Sequence, residues 1–202
     1  MNTSVINLET QRRARFAKPL RLMPDLDGHS CLIDFGLGHE RHPILAWALL
    51  DDQSVSGMII HEGTLAPVTQ FTHRFEGYCD DQLERVHRQP PSFLKPSLRA
   101  ASDHFDSPHC VQCPDMAELS VALYESDHWS FKRLQMWHLQ SGDIAPMVDY
   151  QTQTQQGPKS VRIDARRYSS YAGLVTPAQI GQLKAGGPVG MDFLGLLARY
   201  RT

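Results

Sequence analysis

The chain has 202 residues, of which 41% are hydrophobic, 21% charged and 8% aromatic. That composition excludes wholesale disorder, a collagen-like repeat and a disulfide-dense mini-protein, and the length suits one domain with a small appendage. The net charge of −2 hides an uneven distribution: residues 1–24 carry +4, residues 25–157 carry −11 and residues 158–202 carry +5.

Residues 1–24 read as a basic arm, with Pro19 and Pro24 breaking it before the domain at residues 25–202 begins. Cys31, Ile33 and Phe35 share one strand face, and Gly36 and Gly38 end that run. Ile44–Leu50 is a continuous apolar stretch, consistent with a buried strand. It is the longest in the chain and far short of the roughly 20 residues a transmembrane helix needs. Val55–His61 and Leu65–Phe71 follow across short turns, so the N-terminal part is expected to be an antiparallel β-meander.

The middle reads as helical. Asp81 with Glu84 and Asp115 with Glu118 have the spacing of capping boxes, the second opening a helix through Leu119, Leu123 and Tyr124. A short helix is expected over Leu98–Phe105. Trp129–Leu139 fits both periods. The Ser141-Gly142-Asp143 turn after it favours a strand, with Met147–Thr154 as its hairpin partner and a further short strand at Val161 and Ile163. Thr176, Pro177 and Gln179 make a helix start, and Asp192 can cap a last helix carrying Phe193, Leu196, Leu197 and Tyr200. The expected fold is α+β: an N-terminal antiparallel meander, central helices, a second β-hairpin and a C-terminal helical pair.

All ten histidines and all four cysteines lie between His29 and His138. Cys110 and Cys113 form a C-x-x-C with His109 directly before it, a spacing that chelates zinc from a tight turn. Structural zinc takes four ligands, so Cys79 and His109 are the candidates to complete a site with Cys110 and Cys113, and Cys31 and His104 are further ones. His39-Glu40-Arg41-His42 lacks the zincin spacing, but Asp34, His39 and His42 can converge from a loop. No phosphate-binding loop, dinucleotide fingerprint or G-x-S-x-G elbow occurs.

The cationic ends suggest a polyanion. Arg12, Arg13 and Arg15 precede Phe16, and Arg162, Arg166 and Arg167 stand close to Tyr168 and Tyr171 in the sequence. Arginines neutralise phosphates and aromatic rings stack on bases. The opposing reading folds both ends back on the acidic centre. The function expected is a non-catalytic binding or regulatory module for an anionic partner, nucleic acid or a nucleoprotein complex, with a protein partner close behind and no membrane. The alternative is a metal-dependent hydrolase using the central His/Cys/Asp set. The first 24 residues hold no apolar signal core, so a cytoplasmic setting is expected.

Overall fold

A computed structural model describes residues 17–34, 36, 38–80, 86–100, 108–112 and 118–186. These residues build fourteen strands: β1 Pro19–Pro24, β2 Ser30–Asp34, β3 His39–Pro43, β4 Ala46–Leu50, β5 Val55–His61, β6 Thr64–Pro67, β7 Phe75–Cys79, β8 Val86–His87, β9 His109–Val111, β10 Ser120–Glu125, β11 His128–Gln140, β12 Asp143–Thr154, β13 Gly157–Asp164 and β14 Tyr171–Val175. The described residues hold two α-helices, α1 Leu94–Ala100 and α2 Pro177–Lys184.

All strand pairs are antiparallel and sort into three sheets. The first has the order β1-β4-β5-β6, the second β3-β2-β7-β8, and the third β13-β12-β11-β10-β14 with β9 also on β11. The apolar run at Ile44–Leu50 explains how they stack. Successive strand side chains point to opposite faces. Ala46, Ala48 and Leu50 of β4 join one core with Val121, Leu134, Trp137 and Val148 of the third sheet. Trp47 and Leu49, on the other face, join a second core with Ile33, Tyr78 and α1's Leu94 and Leu98. The first sheet is therefore a middle layer buried on both sides, and every residue of β4 is buried. A strand with no solvent face has no reason to alternate.

The expected α+β architecture is corrected: the chain is mostly β-sheet, and the described residues hold two α-helices where a helical centre was expected. The expected helix through Leu119, Leu123 and Tyr124 is instead β10, with β11 on one side and β14 on the other. Its apolar residues fit either period, and two flanking strands satisfy its backbone better than one turn of helix. Of the helix expected at Leu98–Phe105, the described part belongs to α1, whose Leu94 and Leu98 share one buried face. Residues 101–107, 113–117 and 187–202 lie outside the described residues, and with them Asp115 and the last expected helix. So do Asp81 and Glu84, while Val86 beyond them stands in β8.

The β11–β12 hairpin turns at Ser141 and Gly142, as the sequence indicates, and β13 supplies the strand carrying Val161 and Ile163. α2 starts at Pro177 behind Thr176, whose hydroxyl accepts from the Gln179 backbone in a full capping box. Residues 19–24, placed in the arm from sequence, form β1 and pair with β4. Among the described residues no helix is long and apolar enough to cross a membrane.

Candidate functional site

Three of the six arginines singled out from the sequence meet at one place. Arg162, Arg166 and Arg167, together with His138, line a cleft of about 480 Å³. The fold brings them there by strand pairing. β13 lays Arg162 opposite Asp149 of β12, and the chain then makes a single 3₁₀ turn at Ala165–Arg167. Asp164 caps it, its carboxylate accepting from the Arg166 backbone N–H at 2.9 Å.

The guanidinia differ in how far they are already engaged. Arg166 donates to both oxygens of Asp143, at 2.8 and 2.7 Å, and to Asp164 at 2.8 Å. These hydrogen bonds hold the Asp143 carboxyl below the usual carboxylate range and push the guanidinium's own pKa upward. Burial works against ionisation of Asp164, yet the Arg166 contacts prevail and its pKa is also lowered. Arg162 donates to Asp149 at 3.2 Å across the strand pair, both side chains being exposed. Arg167 is exposed and has no carboxylate partner among the described residues. Engagement by carboxylates thus rises from Arg167, with none, through Arg162, with Asp149, to Arg166, with Asp143 and Asp164.

The root of the basic N-terminal segment lies beside this cleft. Lys18 and Asp51 exchange backbone contacts, the Lys18 N–H donating to the Asp51 carboxylate at 3.0 Å and the Asp51 N–H to the Lys18 carbonyl at 2.8 Å. The Lys18 side chain lies against Gly142, between the two cleft residues Ser141 and Asp143. Arg12, Arg13 and Arg15 themselves lie outside the described residues. Arg15 is three residues from Lys18, a span of roughly 10 Å at most.

A larger cleft of about 760 Å³ opens on the other side of Arg166, between the β5–β6 end of the first sheet and the β11–β12 hairpin. Asp143 and Arg166 line both clefts. Its apolar lining includes Met58, Trp137, Pro146 and Leu174, and its polar lining His61, Glu62 and Gln70. His61 meets Phe71 edge-to-face, ring centres 4.7 Å apart. Trp137 is 1% exposed, and its indole N–H has no hydrogen-bond partner among the described residues. Buried donors are nearly always paired, so this N–H stands out.

The sequence-predicted zinc ligands are dispersed as far as they are described. Cys110 is exposed on β9, in the third sheet, whereas Cys79 is buried on β7, in the second. His109 places Nε2 at 2.8 Å from the Leu22 carbonyl oxygen. A carbonyl only accepts, so Nε2 carries the proton there. Cys113 and His104 lie outside the described residues. Among the described residues no group of three or more His, Cys, Asp and Glu side chains gathers as a metal site would require. Asp34 accepts from the Gly36 N–H at 2.7 Å, and His42 stands 3.6 Å from Glu40, two residues away on the same strand β3.

Sequence reasoning passed over a buried polar cluster. Asp25, 7% exposed, accepts from Trp47 Nε1 at 2.8 Å, from the His29 ring at 2.7 Å and from the His29 backbone N–H at 2.7 Å. The local signal was the turn Asp25-Leu26-Asp27-Gly28-His29, with Gly28 in the left-handed region at φ +72°. The second cleft was equally hidden, because its walls come from strands separated by 80 residues or so. No family model, no curated protein and no solved structure matches this chain.

Proposed function

We propose that the chain is a non-catalytic binding module that contacts nucleic acid, alone or in a nucleoprotein complex, through the arginine cleft and the basic segment leading into it. The observation that carries this reading is the convergence of Arg162, Arg166, Arg167 and His138 on one cleft, beside the β11–β12 turn on which Lys18 lies. The two cationic ends of the sequence are 140 residues or so apart, yet Lys18 brings the root of one to the wall of the other. Lone cations are dispersed over most surfaces, whereas phosphate recognition uses several aimed at one volume.

The acidic neighbours set the expected strength. Asp143 and Asp149 compete with phosphate, which favours salt-sensitive binding over a tight, dry grip. A cytoplasmic setting belongs to the same reading, in keeping with the unbridged thiols of Cys31, Cys79 and Cys110. Zinc is a separate proposal. Cys110 offers an exposed thiol, and protein purified without a histidine tag should carry one zinc that Cys113→Ser releases.

The test is fluorescence anisotropy with a labelled single-stranded oligonucleotide at several salt concentrations. Arg167→Gln should flatten the plot of log K against log salt by about 0.7 units. Deleting residues 1–16 should weaken binding further and leave the Lys18–Asp51 contacts intact. Asp149→Asn should tighten binding by releasing Arg162. Absence of binding to single or double strands at low salt overturns the reading.

A further inference from the structure

We propose that the outer half of the β12–β13 hairpin is an arm that enters the major groove of duplex DNA, with Gln151 and Gln153 against the base edges. This rests on the nucleic-acid reading above and adds the form of the nucleic acid and the side chains that read it. A single strand has no groove and engages the arginine cleft alone.

The arm begins where the third sheet narrows to two strands. β11 pairs with β12 only as far as Leu134 opposite Val148, and Val148 is the last fully buried residue of β12. Beyond the Asp149–Arg162 pair, β12 and β13 continue for five more pairs, from Tyr150 opposite Val161 to Thr154 opposite Gly157. At about 3.4 Å per residue, those pairs span roughly 14 Å. Gln151, Gln153, Lys159 and Ser160 are exposed, so both faces of the ribbon meet solvent. A two-stranded ribbon gains little stability by itself. This one is held at its root, where Tyr150 meets Tyr168 with ring centres 6.2 Å apart, and at its tip, where the Thr154 hydroxyl donates to the Gly157 carbonyl at 2.8 Å.

Charge and register point the arm at DNA. The chain has 22 acidic residues, yet none from 150 to 163, where Lys159 and Arg162 supply the charge. Gln151 lies opposite Ser160 and Gln153 opposite Pro158, on the face that carries Arg162 opposite Asp149. That face runs into the arginine cleft, which Met147, Arg162 and Asp164 line. Phosphates held by the cleft therefore place the next stretch of the duplex along the arm. The major groove of DNA is about 12 Å wide and admits a two-stranded ribbon, and a glutamine amide pairs with adenine N6 and N7 there. The major groove of an RNA duplex is too narrow to be read this way. β13 is also an edge strand among the described residues. Pro158, Lys159 and Arg162 along it oppose edge pairing with a second copy of the chain.

The test uses the full chain and a library of DNA duplexes with a randomised core, from which binders are selected and then measured by anisotropy. The selected duplexes should share a motif containing adenine. The double variant Gln151→Ala with Gln153→Ala, checked for an unchanged melting temperature, should bind a selected duplex at least tenfold more weakly. Replacing adenine with 7-deazaadenine removes the N7 acceptor from the major groove. It should weaken the parent protein and have no further effect on the double variant. Lys159→Gln should flatten the salt slope on a duplex by about 0.9 units. If duplexes bind but no sequence is enriched, or the double variant binds a selected duplex as the parent does, the arm is overturned while the anion reading stands. If single strands bind and duplexes do not, the arm alone falls. If the chain sediments as a dimer that Ser160→Pro dissolves, and it selects no duplex, the arm is overturned in favour of edge pairing between two copies. If no nucleic acid binds at low salt, both readings fall.

Discussion

The side chain of Lys18 lies against the backbone of Gly142, so that a Cβ on that glycine would stand 3.0 Å from the lysine Cβ. The contact links the start of β1 to the β11–β12 turn. Ser141 and Gly142 both have positive φ, +50° and +79°, the pattern of a two-residue type I′ hairpin. The glycine is thus required twice, once by its conformation and once by the lysine above it.

Gly142→Ala is expected to cost about 1–2 kcal/mol in urea unfolding, from left-handed strain and the crowded Lys18. It should also weaken oligonucleotide binding, because Lys18 must shift. Gly157, at the β12–β13 turn, provides the contrast. Its φ is +109°, but nothing lies within 4 Å of an added Cβ. Gly157→Ala should therefore destabilise and leave binding alone. Equal loss of binding in the two variants would separate Lys18 from the site.

Arg166 gives a pH-dependent prediction. Asp143 and Asp164 both have lowered pKa values in the folded chain. A lowered folded value means the stabilisation is complete above the unfolded carboxylate value, about 3.9, and is lost as pH falls through the folded values. The groups are partly exposed, so solvent screening keeps the effect small. Arg166→Ala should cost about 1 kcal/mol at neutral pH, near the top of the range for exposed pairs because the geometry is bidentate. The gap to the parent protein should narrow as pH falls below the unfolded carboxylate value and close only below the folded values. A gap that persists there assigns the loss to packing instead.

The sequence was legible where local chemistry decides the structure and opaque where partners do. Thr176, Pro177 and Gln179 announce α2 because all three act within one turn. Ser141 and Gly142 announce their hairpin for the same reason. Leu119, Leu123 and Tyr124 mislead, because β10's state is settled by β11 and β14, distant in sequence. The arginines at 162, 166 and 167 were visible as cations, but Asp143 and Asp149 as their counter-charges were not. That pairing depends on the register of β11, β12 and β13, which no composition reveals.

Asp25 should be among the most sensitive positions in the chain. Its carboxylate accepts from Trp47, from the His29 ring and from the His29 backbone while almost fully buried. Asp25→Ala leaves those donors without an acceptor and is expected to cost about 3 kcal/mol. Asp25→Asn keeps one acceptor oxygen but turns an NH₂ toward donors, so a loss of about 2 kcal/mol is expected. Chemical unfolding followed by tryptophan fluorescence measures both. Losses below about 0.5 kcal/mol in both variants would show that the cluster contributes little to stability.

The thiols are expected to separate by reactivity. Cys31 is fully buried, and burial, reinforced by the neighbouring Cys79, pushes its pKa up to about 12. Burial also raises the pKa of Cys79. The thiolate is the nucleophile, so both cysteines are protected by inaccessibility and by lack of ionisation. Cys110 is exposed on β9. Iodoacetamide at pH 8 should therefore modify Cys110 in the folded protein within minutes, and Cys31 and Cys79 only once denaturant is added. Peptide mass mapping after timed quenching reads the order. Modification of Cys31 at the rate of Cys110 without denaturant would mean that the first and second sheets separate readily, because Cys31 belongs to the core that holds them together.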